Sequence, residues 1–241
     1  MLDILIDSIH GDNSTLKSGL RVCITGHTSG IGKAIFDGFK NVFGLSVTGL
    51  SRTNGHDLEK DYDKVKQAVE DSKFDIFINN AYVPKNQTRL LKEIYNSNRD
   101  EHVLIVNIGS VAGLIPQDHP DYFSEYATNK REQMKFCAER NFEYSKKEFT
   151  TVCCGLVNIN SDYVNTNFKS KYDKRLFPNL EPSDIFRIVS LVTKLYDQGI
   201  CLREVSLHSV NPPRINENMS KNPGINDGSR WRFNTKETRQ K

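Results

Sequence analysis

The sequence has no apolar run approaching the roughly 18 residues that a membrane-spanning helix needs, so no membrane partner is expected. Its first ten residues interleave Leu and Ile with Asp3 and Asp7 and lack a basic flank, so they do not read as a signal peptide. Cysteine is sparse and odd in number. Cys23, Cys137, Cys153, Cys154 and Cys201 include no CxxC pair. This excludes a disulfide framework as the organising feature and fits buried thiols in a reducing, cytoplasmic setting. The six histidines are scattered without zinc-ligand spacing, so no metal site is expected. An excess of charge of one sign is also missing. The 33 Lys+Arg against 30 Asp+Glu leave a formal net charge of +3, too little to argue for a nucleic-acid partner.

What is present is an alternation of short apolar strands and helical stretches. Arg21–Thr25, Ser46–Ser51, Phe74–Asn79, Val103–Ile108, Phe149–Cys154 and Glu204–His208 read as strands, mostly rich in Val, Ile and Phe. Ile31, Ile35, Phe39 and Phe43 recur at helical spacing between the first two. Ser124 to Lys147 and Ser183 to Leu195 are further helix candidates. Such alternation predicts an α/β fold, a doubly wound parallel sheet of Rossmann type in a single domain. The domain is expected over 20–210, after an N-terminal extension, 1–19. The polar tail 211–241, with Pro212, Pro213, Pro223, Gly224 and Gly228, reads as extended or disordered, or as a strap over a partner or cleft.

The first strand runs into Thr25-Gly26-His27-Thr28-Ser29-Gly30-Ile31-Gly32 and then a helix. A strand, a Gly-rich turn and a helix N-terminus form an anion site, with free N–H groups and the helix dipole facing a pyrophosphate. Gly26 allows the tight turn, Gly30 the approach of phosphate, and Gly32 close packing of helix on sheet. Thr28 and Ser29 add hydroxyl donors. The second strand ends at Leu50-Ser51-Arg52, where an acidic residue would bind a ribose 2′-hydroxyl and an Arg suits a 2′-phosphate. NADP (NADPH) is therefore expected over NAD, the plain alternative being a solvated surface Arg.

Further landmarks occur in order: Asp57-Leu58, Asn79-Asn80-Ala81-Tyr82, Ser110 closing Val106-Asn107-Ile108-Gly109-Ser110, and Tyr126-Ala127-Thr128-Asn129-Lys130. With the glycine loop, this series resembles the short-chain dehydrogenase/reductase family, whose motifs are TGxxxGxG, NNAG and Ser plus YxxxK. The likeness spans about Leu20 to Val210. It implies an oxidoreductase that moves a hydride between nicotinamide and a small carbonyl or alcohol substrate. Tyr126 would be the acid/base, Lys130 would lower its pKa and hold the nicotinamide ribose, and Ser110 would bind the substrate oxygen. Tyr126 and Lys130, four apart on a helix, share a face, and a nearby ammonium favours a phenolate. By the same resemblance Asp57 and Leu58 flank the adenine, Asn79, Asn80 and Ala81 line the cofactor cleft and steady the central strands, and the Val157 backbone holds the carboxamide; Asn79 reads equally as a strand-end residue that satisfies backbone groups. A homodimer or homotetramer is implied as well.

The chain departs from that pattern in four places. Tyr82 stands where the family has Gly, and its ring would crowd the cleft or wall the substrate pocket. Arg52 to Asp57 is so short that the usual helix between the second and third strands is expected to be missing. Asn80 to Ser110 is also short, and the relay Asn of the family has only Asn86, Asn96 and Asn98 as candidates by residue type. Cys154 and Ile159 replace the family's Pro and Thr around Gly155. The segment Asn160 to Leu180, with Tyr163, Phe168, Tyr172 and Phe177 among Lys169, Lys171, Lys174 and Arg175, reads as a solvated basic helix or a loop suited to an anionic substrate. A second reading of the whole chain is a catalytically weak dinucleotide sensor or scaffold. The trimmed elements and Tyr82 favour it; the retention of Ser110, Tyr126 and Lys130 together speaks against it.

Overall fold

The computed structural model describes residues 16–114, 125–144, 154–161 and 180–207, all in a unit that ends at Ser209. Six strands form one sheet: β1 (Arg21–Thr25), β2 (Ser46–Leu50), β3 (Ile76–Asn79), β4 (Leu104–Ile108), β5 (Gly155–Ser161) and β6 (Glu204–Leu207). Their order is β2-β1-β3-β4-β5-β6, and every pairing is parallel. The helices are α1 (Gly30–Asp37, continued by a π-helical turn over Gly38–Val42), α2 (Tyr62–Asp71), α3 (Asn86–Ser97), α4 (Glu125–Tyr144) and α5 (Pro182–Asp197). This is the doubly wound α/β sheet predicted from the alternation of elements.

The two sheet faces follow from the two-residue period of a strand. Val22, Ile24, Ile76, Ile78, Leu104, Val106, Val157 and Ile159 point to one side, where α1 and α5 bring Ile35, Phe39, Ile185 and Val189. Cys23, Phe77, Ile105 and Leu156 point to the other, against Val65 and Val69 of α2, Leu90, Leu91 and Ile94 of α3, and Cys137 of α4. On that second face the strands change character toward their C-terminal ends. Phe77 is followed by Asn79, Ile105 by Asn107, and Leu156 by Asn158 and Asn160, all buried. The apolar half of the face packs helices; the amide half lies beneath the site.

One sequence expectation lies mostly outside the described residues and another is corrected. Strand β5 is Gly155–Ser161; of the expected strand Phe149–Cys154 only Cys154 is described, and it precedes β5. Asn158 and Asn160 lie within this strand, although amides are common in turns. Here each amide is hydrogen-bonded to another inside the sheet, which removes the desolvation cost that keeps such residues out of strands. The helix thought missing between the second and third strands is present as α2. Its pattern was obscured because only Tyr62, Val65 and Val69 are buried while the rest of its ten residues are mostly charged or exposed. The tail 211–241 and most of the Asn160 to Leu180 segment lie outside the described residues.

The centre of the sheet is closely packed, with the Phe77 ring fully buried and 5.6 Å from Phe74. Phe77→Ala is expected to destabilise the fold by about 3–5 kcal/mol, as for other buried aromatic truncations. Urea unfolding would measure this, and a loss below about 1 kcal/mol would contradict the packing described.

Candidate active site

The chain leaves β1 for β2 on one side of the sheet and returns to β3 on the other, so the carboxyl ends of β1 and β3 flank a crevice. Open α/β sheets bind ligands at such a switch point. The glycine loop sits there. Gly26 has φ +73° and donates its N–H to the Leu50 carbonyl at 2.7 Å; Gly30 has φ +53°. A Cβ at Gly32 would lie 2.1 Å from the Gly26 carbonyl oxygen, so only glycine lets α1 start this close to the loop. Ser29 is extended and makes no side-chain cap to α1. Thr28 and Ser29 are exposed, and Ile31 is half-buried. His27 lays its ring on β2, where a Cβ at Gly49 would come within 2.4 Å of it.

Asn80 and Ala81 hold this loop from the β3 side. The Asn80 amide donates to the carbonyls of Thr25 and Gly26 at 3.0 and 3.3 Å. The backbone N–H groups of Asn80 and Ala81 both donate to Thr25 Oγ1. At the end of β2, buried Ser51 caps a short 3₁₀ turn, Arg52–Asn54, and Arg52 itself is exposed. Asp57 accepts from the Glu59 N–H in a local turn, and the Leu58 side chain is buried in the core.

Tyr126 and Lys130 occupy successive turns of α4 but meet different surroundings. Tyr126 is 39% exposed and packs edge-on against Tyr82, their ring centroids 4.8 Å apart. Lys130 is 2% exposed. Its Nζ donates to the Ile108 carbonyl at 2.8 Å, to Gln87 Oε1 at 2.9 Å and to Gln133 Oε1 at 3.4 Å. It lies 5.3 Å from the Tyr82 ring centroid and 5.7 Å from that of Tyr126. Burial pushes the Lys130 amine down to about 7. Burial, then Glu125 and Tyr126, raises the Tyr82 phenol, so Tyr82 stays neutral. Ser110 ends the β4 segment, buried, with its Oγ accepting from the Ala112 N–H at 3.2 Å.

The residue that meets Lys130 from α3 is Gln87, which sequence reasoning missed. Of the three asparagines considered, Asn86 donates to the Leu58 carbonyl, Asn98 to the Ile94 carbonyl, and Asn96 is exposed. An amide one methylene longer than asparagine reaches the lysine instead. Asn79 is fully buried, and its amide ties β3 to the Gln87 carbonyl and to Asn107 Oδ1, so it steadies the central strands. One other expected residue is corrected. Val157 lies fully buried in the middle of β5, in register with Val106. A carboxamide cannot reach it there. Strand β5 ends at Ser161, and the chain from Asp162 lies outside the described residues.

With Gly26 and Gly30 at positive φ and no side-chain cap on the start of α1, the loop leaves a helix N-terminus that suits an anion such as a pyrophosphate. Among the described residues no helix is long and apolar enough to cross a membrane, and no group of His, Cys, Asp or Glu has a metal-holding arrangement.

No family model matches the sequence, and no curated protein matches it. Solved structures do match in fold. A 3-ketoacyl-(acyl-carrier-protein) reductase from Brucella melitensis complexed with NADH has a TM-score of 0.63 at 16% identity, covering 79% of this chain and 97% of that one. A short-chain dehydrogenase from Burkholderia cenocepacia J2315 in complex with NADP scores 0.59 at 14% identity, covering 81% and 98%. A ribose-5-phosphate isomerase from Brucella melitensis 16M scores 0.60 at 15% identity, covering 80% and 92%. The chain has the fold of the short-chain dehydrogenases/reductases. A shared fold does not set the reaction, as the third of these structures illustrates.

The buried lysine makes stability depend on pH. The folded state takes up this proton only below about 7, the unfolded chain already below roughly 10.4. Between those values the unfolded chain binds more protons, so stability rises with pH. The thermal midpoint of the protein relative to Lys130→Met is expected to climb from pH 7 to pH 9, with a limiting slope of about 1.4 kcal/mol per pH unit. Parallel melting curves across that range would show that the amine is not held in a low-dielectric site.

Proposed function

We propose that the protein is an NADP(H)-dependent oxidoreductase acting on a carbonyl/alcohol pair. The observation that supports it is a juxtaposition. A glycine-rich turn follows β1 into the uncapped start of α1, and at the carboxyl end of β4 Ser110 follows Ile108, whose carbonyl accepts from Lys130, one helical turn beyond Tyr126. The nicotinamide dinucleotides bound to proteins of the same fold add to the reading.

In this reading Gly26, Thr28, Ser29, Gly30, Ile31 and Gly32 hold the pyrophosphate by backbone N–H groups and hydroxyls. Ser51 and Arg52 face the adenosine ribose, and Arg52 pairs with a 2′-phosphate, which favours NADPH over NADH. The backbone of Asp57 and Leu58 borders the adenine. The cofactor, when bound, supplies or accepts the hydride. Tyr126 gives a proton to the substrate oxygen in reduction and takes it in oxidation. Ser110 donates a hydrogen bond to that oxygen and stabilises its developing charge. Lys130, when protonated, places positive charge near the phenol, which favours the phenolate. A homodimer or homotetramer and a cytoplasmic setting belong to the same proposal.

Tyr126→Phe keeps the ring against Tyr82 and removes only the transferable proton. It is expected to lower turnover about 10²–10⁴-fold while leaving NADPH affinity within a factor of about three. The assay is NADPH oxidation against a panel of aldehydes, ketones and keto acids; turnover unaltered in the variant overturns the mechanism. Arg52→Glu is expected to weaken NADPH binding tenfold or more, for the loss of roughly 1.5–3 kcal/mol of charge-assisted hydrogen bonding, and to spare NADH. Fluorescence titration of both cofactors checks it, and a wild-type protein that prefers NADH refutes the Arg52 assignment.

One observation favours the second reading, a dinucleotide sensor of weak activity. Tyr82 fills the space beside Tyr126, and Lys130 faces inward to amides. Tight NADPH binding without turnover on any carbonyl tested would select it.

A further inference from the structure

Lys130 is a buried amine, and among the described residues no carboxylate hydrogen-bonds to it. From α3 it meets the neutral Gln87, from β4 a carbonyl, from the loop after β3 the Tyr82 ring, and from its own helix Tyr126 and Gln133. Among the described residues, every acceptor of the amine is an amide or carbonyl oxygen. A side-chain amide offers oxygen on one side and N–H on the other, so each must be turned the right way.

The direction can be traced across the sheet. The Glu204 carboxylate on β6 accepts and cannot donate when ionised. Asn160 gives it an N–H at 2.7 Å, which leaves Asn160 Oδ1 to accept from Asn158 at 2.9 Å. Asn158 Oδ1 then accepts from Asn107 at 2.6 Å. The Asn107 amide also donates to Gln133 Oε1 at 3.2 Å, so that oxygen faces Asn107 and Lys130. The Gln133 N–H groups turn to Gln87 Oε1 and Thr88 Oγ1, at 3.0 and 3.2 Å. Gln87 in turn sends its own N–H to the Asn79 carbonyl and shows its oxygen to the lysine. Reversing any of these amides would set N–H against N–H at the next link. The path leaves no room beside it: a Cβ on Gly109 would lie 2.2 Å from Asn160 Oδ1.

We propose that Lys130 is placed by this continuous chain of buried side-chain amides, with Gln87 as its direct positioning residue and Glu204, at the far end of the chain, as the remote group that sets the direction of every amide. The inference rests on the reading that Lys130 serves the site. It gives the lysine an all-neutral, all-acceptor dock in place of a counter-ion. Burial without a counter-charge, which brings the amine down to about 7, agrees with that dock.

The test is an NMR titration of the full chain labelled with ¹³C-lysine, with the Lys130 signal assigned by its absence in Lys130→Met. Gln87→Glu places a carboxylate beside the amine and is expected to raise the Lys130 midpoint by about one pH unit or more. Should that variant fail to fold, Gln87→Asn, too short to reach, is expected to lower the midpoint. Glu204→Gln lets the terminal group donate as well as accept. It is expected to shift the side-chain amide signals of Asn107 and Gln133 and to lower the Lys130 midpoint, whereas Glu139→Gln, an exposed carboxylate outside the chain, changes neither. A Lys130 midpoint that ignores Gln87, or one that responds to Glu204→Gln no more than to Glu139→Gln, overturns the proposal. NADPH titration of the same samples tests the functional reading separately. Loss of binding there in the wild-type protein would remove the dinucleotide and leave the lysine dock standing.

Discussion

The site is organised around one difficult requirement, the burial of a lysine amine in the interior of a sheet protein without a carboxylate to neutralise it. Removing a charge from water is costly unless its hydrogen bonds are replaced. The Ile108 carbonyl and the oxygens of Gln87 and Gln133 replace them. Each of those oxygens is available only because a neighbouring amide takes up the N–H groups on the same side chain. Three central strands therefore end in asparagine on the face where their first residues are apolar. Helices α3 and α4 present glutamine there. The backbone at Gly109 admits no side chain.

That requirement also shapes the surroundings of Tyr126. The phenol stays half exposed on the first turn of α4, while Lys130, one turn on, is drawn inward to β4. Tyr82 closes the gap between them, one ring touching the phenol edge-on and lying over the amine. The glycine loop is built independently, by Asn80, Ala81 and Thr25 across the ends of β1 and β3. The crevice has a glycine-loop end set by backbone and a lysine end set by side-chain amides. A change at one end does not need to disturb the other.

Much of this was legible in the order of residues. The strand, glycine turn and helix around Gly26 to Gly32 follow from local sterics, since the φ values and the closeness of α1 demand glycine wherever the chain goes next. The alternation of apolar strands with helices determines a parallel sheet, because each strand must be covered on both faces. Tyr126 and Lys130 share a helix by their spacing alone. What misled was polarity in unexpected places. The charged surface of α2 hid a helix whose buried face is only three residues wide.

The sequence by itself determined the elements, their parallel order and the glycine cradle, because these depend on neighbours within a few residues. Only the tertiary structure decided which side chains surround Lys130. Gln87, Asn107, Gln133, Asn158 and Glu204 come from five different elements, and a hydrogen-bonded amide looks the same in sequence as a solvated one. Its meaning lies in the direction of its dipole, and that direction exists only once β4, β5 and β6 lie side by side.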